Sequence, residues 1–193
     1  MKFCSRCGSK VHLQIPEGDT RTRHICSHCQ TIHYENPRNV VGTIPLWEDK
    51  VLLCKRAIQP RLGFWTLPAG FLEVNESTQD GAQRETLEEA GAHVEVGPLF
   101  SLLNVMHAEQ VHLFYLAKMY EPTFSAGVES LEVRLFDESE IPWDELAFPT
   151  VTKTLQWFFE DRSSGKLVNE DALATHLHDI GFDERIDKQY KKS

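Results

Sequence analysis

Residues 70–91 read GFLEVNESTQDGAQRETLEEAG, and the fold is decided by how the second half of that stretch sits on a helix. At about 100° per residue, Glu85, Glu88 and Glu89 fall within an arc of about 100°. Three carboxylates on one face repel one another by roughly 0.2–0.5 kcal/mol per pair, so the arrangement calls for a compensating cation. A hard divalent ion such as Mg²⁺ supplies it, because such ions take carboxylate and phosphate oxygens together. Ions held this way neutralise charge as a phosphorus–oxygen bond is attacked. The competing reading is a solvated acidic helix face with no ligand.

The rest of the stretch narrows the choice. Five residues separate Gly70 from Glu76, and seven separate Glu76 from Arg84, which opens RETLEEAG and ends at Gly91. This spacing resembles the signature of the Nudix hydrolases. The signature asks for an aliphatic residue after Arg-Glu and another after the final glycine, where Thr86 and Ala92 stand here; the charged and glycine positions all agree. The resemblance implies that Glu85, Glu88 and Glu89, with the Gly70 carbonyl, ligate Mg²⁺ or Mn²⁺. It also implies that Arg84 orients Glu85 or Glu88 through a charge-assisted hydrogen bond. The general base is a motif glutamate or one from a later loop; Glu129 and Glu132 in GVESLEVRLF are the later candidates, with Glu129 expected in a loop mouth and Glu132 at the start of a strand.

Working outward, the chain of 193 residues is long enough for one domain and a small appendage. Its 41% hydrophobic content is ordinary for a soluble protein, and its formal charge of -9 argues against a nucleic-acid partner gripped through a basic patch. No run of about 20 apolar residues and no leader-like segment precede the first cysteine motif, so no membrane is expected and the cytoplasm is the expected location.

Cys4, Cys7, Cys26 and Cys29 form two CxxC pairs within residues 1–36. Such spacing suits tetrahedral Zn²⁺, and a stretch of about 35 residues buries too little core to fold unaided, which makes the zinc structural. An iron site of the same geometry and two disulfides are the alternatives. His24, His28 and His33 lie nearby but are unnecessary beside a complete set of four thiols. Cys54, the fifth cysteine, lies in an apolar run and reads as a small buried side chain.

After Asn36-Pro37 the segment VVGTIPLWEDKVLLCKR predicts a hairpin turning at Glu48-Asp49-Lys50. Ser77 and Asp80 resemble a capping box for a helix over residues 78–90, with Leu87 and Ala90 inward and Gly91 ending it. VEVGPLFSLLNVM, QVHLFYLAKMY and LEVRLFDESEIP read as strands, and TVTKTLQWFFEDR as an amphipathic helix. The tail, residues 161–193, carries one weak helical stripe at Leu173, Leu177 and Ile180. The expected class is therefore α/β (α+β), an α/β/α sandwich around a mixed sheet like the Nudix fold over residues 37–160, preceded by a zinc ribbon over residues 1–36.

For a substrate, Arg56 at a strand end is a candidate to hold a phosphate. Trp65, Phe64 and Phe148 are candidates to stack a flavin or adenine ring. A cysteine ribbon before a Nudix domain is similar to the NADH pyrophosphatases, but their SQPWPFPxS array has no counterpart in PLFSLLNVMHAEQVHLFYLAK. The features FCSRCG, HYENP, VLLCKRAIQP, WTLPAGFLEV and ESLEVRLF resemble a Nudix group that includes a plant chloroplast FAD pyrophosphatase. That implies a small-molecule dinucleotide substrate, FAD (cleaved to AMP and FMN) or ADP-ribose, and a possible homodimer. An ADP-ribose sensor and an NADH or capped-RNA pyrophosphatase are the alternatives.

Overall fold

The computed structural model describes residues 1–168 and 176–181. The chain divides into two compact units, Met1–Pro37 and Arg38–Ser193.

In the first unit, β1 (Val11–Gln14), β2 (Arg23–Cys26) and β3 (Ile32–His33) form an antiparallel sheet in that order. Each CxxC pair sits in a tight turn, closed by Gly8 N–H donating to the Cys4 carbonyl (2.9 Å) and Gln30 N–H to the Cys26 carbonyl (3.2 Å). The buried apolar side chains of this unit are Cys4, Pro16, Ile25 and Cys26. So small a core cannot by itself offset the chain entropy of folding.

The second unit is built on one mixed sheet. Its elements are β4 (Arg38–Trp47), β5 (Lys50–Arg56), β6 (Trp65–Thr66), β7 (Ala69–Phe71), α1 (Thr78–Ala90), β8 (Val94–Val105), β9 (Gln110–Met119), β10 (Ser130–Phe136), α2 (Pro149–Ser163) and β11 (His176–Asp179). The strand order is β10-β5-β4-β9-β8-β11, with β6 beside β5 and β7 beside β4. The pairs β4/β9 and β8/β11 are parallel and the rest antiparallel.

The predicted hairpin is present but short. Leu46 pairs with Val51 and Trp47 with Lys50; beyond that β4 takes β7 as its neighbour, with Val41 opposite Gly70. That exchange threads the start of the 70–91 motif into the sheet. Successive residues of β5 face opposite ways, as a strand requires. Leu53 joins Ile44, Phe100, Phe114, Leu155 and Phe158 in the core under α2, whereas Leu52 and Cys54 join Ala90, Val94 and Ala117 beside α1.

Helix α1 spans the expected residues. The Ser77 hydroxyl accepts from Asp80 N–H, the Asp80 carboxylate accepts from Ser77 N–H, and Gly91 stops the helix at φ 58°. Leu87, expected inward, is 43% exposed. The buried positions of α1 are Gly81, Ala82, Thr86, Glu89 and Ala90, and Leu87 lies about 140° round the helix from Ala82, outside that arc. Thr86 stands where the signature asks for an aliphatic side chain, and its hydroxyl is satisfied there: it donates to the Ala82 carbonyl (2.7 Å) and meets the Thr43 hydroxyl at 2.6 Å.

The tail differs from expectation. Residues 176–179 form a strand parallel to β8 rather than a helix, leaving Leu177 exposed and Ile180 buried. A four-residue edge strand and a sparse helical stripe are hard to distinguish over so few residues. Leu173 lies outside the described residues.

Candidate active site

The carboxylates of α1 differ in environment because the helix buries the side that carries Gly81, Ala82, Thr86, Glu89 and Ala90. Glu89 is nearest the core, 7% exposed, and its Oε2 accepts from Ala69 N–H at 3.1 Å. Burial, helped by the charges of Glu85 and Glu129, pushes its carboxyl up to about 7; Ala69 N–H and Arg56 act in the opposite sense. Glu85 is also raised by burial, against the pull of Arg84. Glu88, by contrast, has a side chain 58% exposed.

Arg84 organises this face. Its Nε and Nη2 donate to both oxygens of Glu76 (3.0 and 2.8 Å), while Nη1 donates to Glu85 (2.7 Å) and Glu88 (3.0 Å). The fork-shaped guanidinium thus ties the loop before the helix to two helical carboxylates and supplies the charge they need. The pairing with Glu76 was not drawn from the sequence, although the seven-residue spacing from Glu76 to Arg84 carries it. A Cβ at Gly70 would collide with the Glu85 carboxylate and displace it.

Hydrogen bonds to Arg84, then to Glu73 N–H, hold the Glu76 carboxyl down at about 2. A depressed carboxyl contributes stability above its unfolded pKa and loses it as pH falls through the folded one. Glu76→Gln is therefore expected to melt below the wild type at pH 7, with the gap closing between about pH 4.5 and pH 2 in thermal unfolding followed by circular dichroism.

Glu129 is brought to this face by the loop before β10. Gly127 N–H donates to the Glu89 carbonyl (3.0 Å), Ser125 N–H to the Ala90 carbonyl (2.8 Å), and Ala57 N–H to the Glu129 carbonyl (2.8 Å). The charge of Glu129 is felt at both Glu85 and Glu89. Glu132, in β10, instead faces Lys55 Nζ at 4.0 Å. A Cβ on Gly127 would overlap the Glu88 carbonyl oxygen. Gly127→Ala is expected to lower the melting temperature by about 2–4 °C, the shift that roughly 1 kcal/mol gives a domain of this size.

Arg56 ends β5 with its guanidinium 5.0 Å from the Phe148 ring centroid. Trp65 is 5% exposed and lies in the core edge-on to Phe136 at 4.8 Å, so its ring is not open to a ligand. Phe64 lies under Arg61. Phe71, which the sequence reading passed over, is half exposed beside Gly70 with Arg38 over its ring at 4.9 Å. Cys54 is buried near Glu89, and burial raises its thiol far above the ordinary range, which makes it inert.

In the first unit the four thiols of Cys4, Cys7, Cys26 and Cys29 lie within 4.8 Å of one another. The Cys4–Cys29 and Cys7–Cys26 sulfurs are 3.7 and 3.4 Å apart, near the edge of about 3.8 Å of a tetrahedron with Zn–S bonds of about 2.3 Å. His33 Nε2 stands 3.3 Å from Cys4 Sγ, as a neighbour bonding to a ligand rather than one of the four.

A family model described as the Nudix N-terminal zinc ribbon matches residues 2–35, and one described as the NUDIX domain matches residues 36–158. An NAD-capped RNA hydrolase NudC of Salmonella heidelberg is 34% identical over 93 residues, 48% of this chain and 34% of that protein. The chain thus spans about a third of the length of the curated relatives it matches. A NUDIX hydrolase from Nitrosomonas europaea superposes with a TM-score of 0.87 at 53% identity, covering 93% of this chain and 99% of that one. An ADP-ribose pyrophosphatase from Streptococcus suis shares the fold, with a TM-score of 0.56 at 21% identity over 75% of this chain and 100% of that one.

Proposed function

Because the chain belongs to the Nudix hydrolase family, we propose that it is a divalent-cation-dependent pyrophosphohydrolase that cleaves a nucleoside diphosphate linked to another moiety, with FAD (to AMP and FMN) and ADP-ribose as first candidates. The observation that carries this reading is the gathering of Glu85, Glu88, Glu89 and Glu129 around one helix face, where Arg84 ties Glu85 and Glu88 to Glu76. In it, Glu85, Glu88 and Glu89 with the Gly70 carbonyl hold Mg²⁺ or Mn²⁺. The ion screens the phosphate oxygens and lowers the pKa of the attacking water. Arg84 keeps Glu85 and Glu88 aligned, Glu129 takes the proton of the water, and Arg56 holds a substrate phosphate. Phe71, open at the edge of the motif, replaces Trp65 as the stacking candidate. Four thiols hold a structural Zn²⁺. Among the described residues no helix is long and apolar enough to cross a membrane. Five unpaired thiols suit a reducing compartment, and the cytoplasm is the proposed location.

A second reading, hydrolysis of a capped RNA, draws on the curated relative and on charge. Residues 1–37 carry Lys2, Arg6, Lys10, Arg21 and Arg23 against Glu17, Asp19 and Glu35, a surplus of two cations in a chain of net charge -9. Product chromatography of the Mg²⁺-loaded protein with FAD, ADP-ribose, NADH and an NAD-capped RNA decides between them. AMP released first from FAD or ADP-ribose supports the dinucleotide reading, and preferential cleavage of the RNA supports the second. Tight ADP-ribose binding with no turnover of any substrate would make the protein a sensor.

A further inference from the structure

The loop between β5 and β6 holds a side-chain-bearing residue in a glycine-like conformation. Arg61 has φ 66°, in the left-handed region that costs an L-residue energy, and Gly63 follows at φ 83°. Three backbone bonds over-determine this shape: Gly63 N–H to the Arg56 carbonyl (2.9 Å), Phe64 N–H to the Arg61 carbonyl (3.1 Å) and Arg56 N–H to the Phe64 carbonyl (2.9 Å).

The result is that two guanidinium groups reach adjoining residues, 147 and 148. Arg61 lies 4.7 Å over the Phe64 ring and its Nε donates to the Ala147 carbonyl at 3.1 Å. Arg56 lies over Phe148, and its Nε donates to the Pro60 carbonyl at 2.9 Å. Residues 147 and 148 immediately precede α2. In both arginines the Nε is spent, and among the described residues neither Nη edge has an acceptor and neither side chain is ion-paired. Arg84, Arg134 and Arg162, by contrast, are each ion-paired to carboxylates. An open guanidinium edge matches the oxygens of a phosphate in geometry and charge.

The helix start adds to this. Phe148 caps the 15-residue α2 without a side-chain hydrogen bond, Pro149 has no N–H, and Val151 and Thr152 N–H both donate to the Phe148 carbonyl (3.1 Å each), so among the described residues Thr150 N–H is the first-turn donor left to face an anion. In that turn Thr150 Oγ1 is buried with no partner among the described residues. The position is also contiguous with the acidic face, since Arg56 is near enough to Glu89 to favour its charged form.

We propose that Arg61, together with Arg56 and the Thr150 N–H at the start of α2, forms an anion subsite that takes the phosphate of the substrate diphosphate not held between the carboxylates. The assignment of that anion rests on the function proposed above; the existence of the subsite does not. Arg56 and Arg61 bind this phosphate through their Nη groups, and the rings of Phe148 and Phe64 hold the two planes in position.

The test uses Arg61→Gly, which removes the guanidinium at a backbone angle glycine adopts freely, and Arg61→Lys, which restores a charge without the fork. With ADP-ribose, Arg61→Gly is expected to raise KM about tenfold with kcat within about threefold, and Arg61→Lys to recover part of the loss. Calorimetric titration with inorganic pyrophosphate, without added divalent cation, is expected to show about tenfold weaker binding by Arg61→Gly than by the wild type. Equal affinity in the two proteins, no binding by either, or an unchanged KM overturns the subsite. A wild type that turns over no nucleotide yet binds pyrophosphate through Arg61 would sink the proposed function and leave the subsite standing.

Discussion

Glu88→Gln is expected to reduce turnover of the preferred dinucleotide by about two orders of magnitude or more, with little change in thermal stability. The reason lies in how the three motif carboxylates divide their duties. Glu89 is buried and holds Ala69 N–H, so changing it disturbs the joint between β7 and α1. Glu85 fills the space over Gly70. Glu88 is the most exposed, and among the described residues its side chain pairs with Arg84 Nη1 at 3.0 Å, a surface ion pair worth at most about 1 kcal/mol. An isosteric amide there keeps the shape of the helix and removes one of the anionic oxygens proposed to hold the metal. Steady-state kcat from product chromatography, set beside the melting temperature, separates the two contributions. Near-normal turnover would remove Glu88 from the metal ligands.

How far these features could be read in advance depended on the range of the interaction. The limits of α1 were legible because both ends are fixed locally, by Ser77 with Asp80 and by the left-handed Gly91. The strands of the mixed sheet were legible from their apolar runs, and the cysteine spacing marked the ribbon before any distance was known. The exposure of Leu87 was not, because it depends on which side of α1 packs against the sheet. The same choice of side makes Glu89 buried and Glu88 open, a difference that spacing along one helix face does not encode. Trp65 and Phe64 are adjacent in sequence, yet Trp65 opens β6 and enters the core, while Phe64, just before that strand, supports Arg61. Arg61 itself escaped notice because its position depends on a left-handed turn and on Ala147, far along the chain. The strand at residues 176–179 exists through its parallel pairing with β8, a contact no local pattern announces.

Cys26→Ser is expected to empty the ribbon of metal and unfold it. Cys26 is fully buried, its sulfur accepts N–H groups of His28 and Cys29 at 3.4 Å each, and it lies 3.4 Å from the Cys7 sulfur. Serine keeps a polar atom there but not a thiolate, so the tetrahedron loses one anionic corner. In a unit whose buried apolar side chains are Cys4, Pro16, Ile25 and Cys26, the free energy of binding zinc is the greater part of the free energy of folding. Loss of one ligand should thus be felt by the whole ribbon rather than by one turn. Metal analysis of the purified variant should show zinc falling from about one per chain to near none. Hydrogen exchange should show the amides of β1 and β2 losing protection, while those of β4 and β9, which pair along most of their length, keep theirs. Cys54→Ser is the control: its site belongs to the core beside α1, and zinc content there should be unchanged. Full zinc in Cys26→Ser would instead mean that a nearby histidine completes the shell, with His33, 3.3 Å from Cys4 Sγ, the first to test.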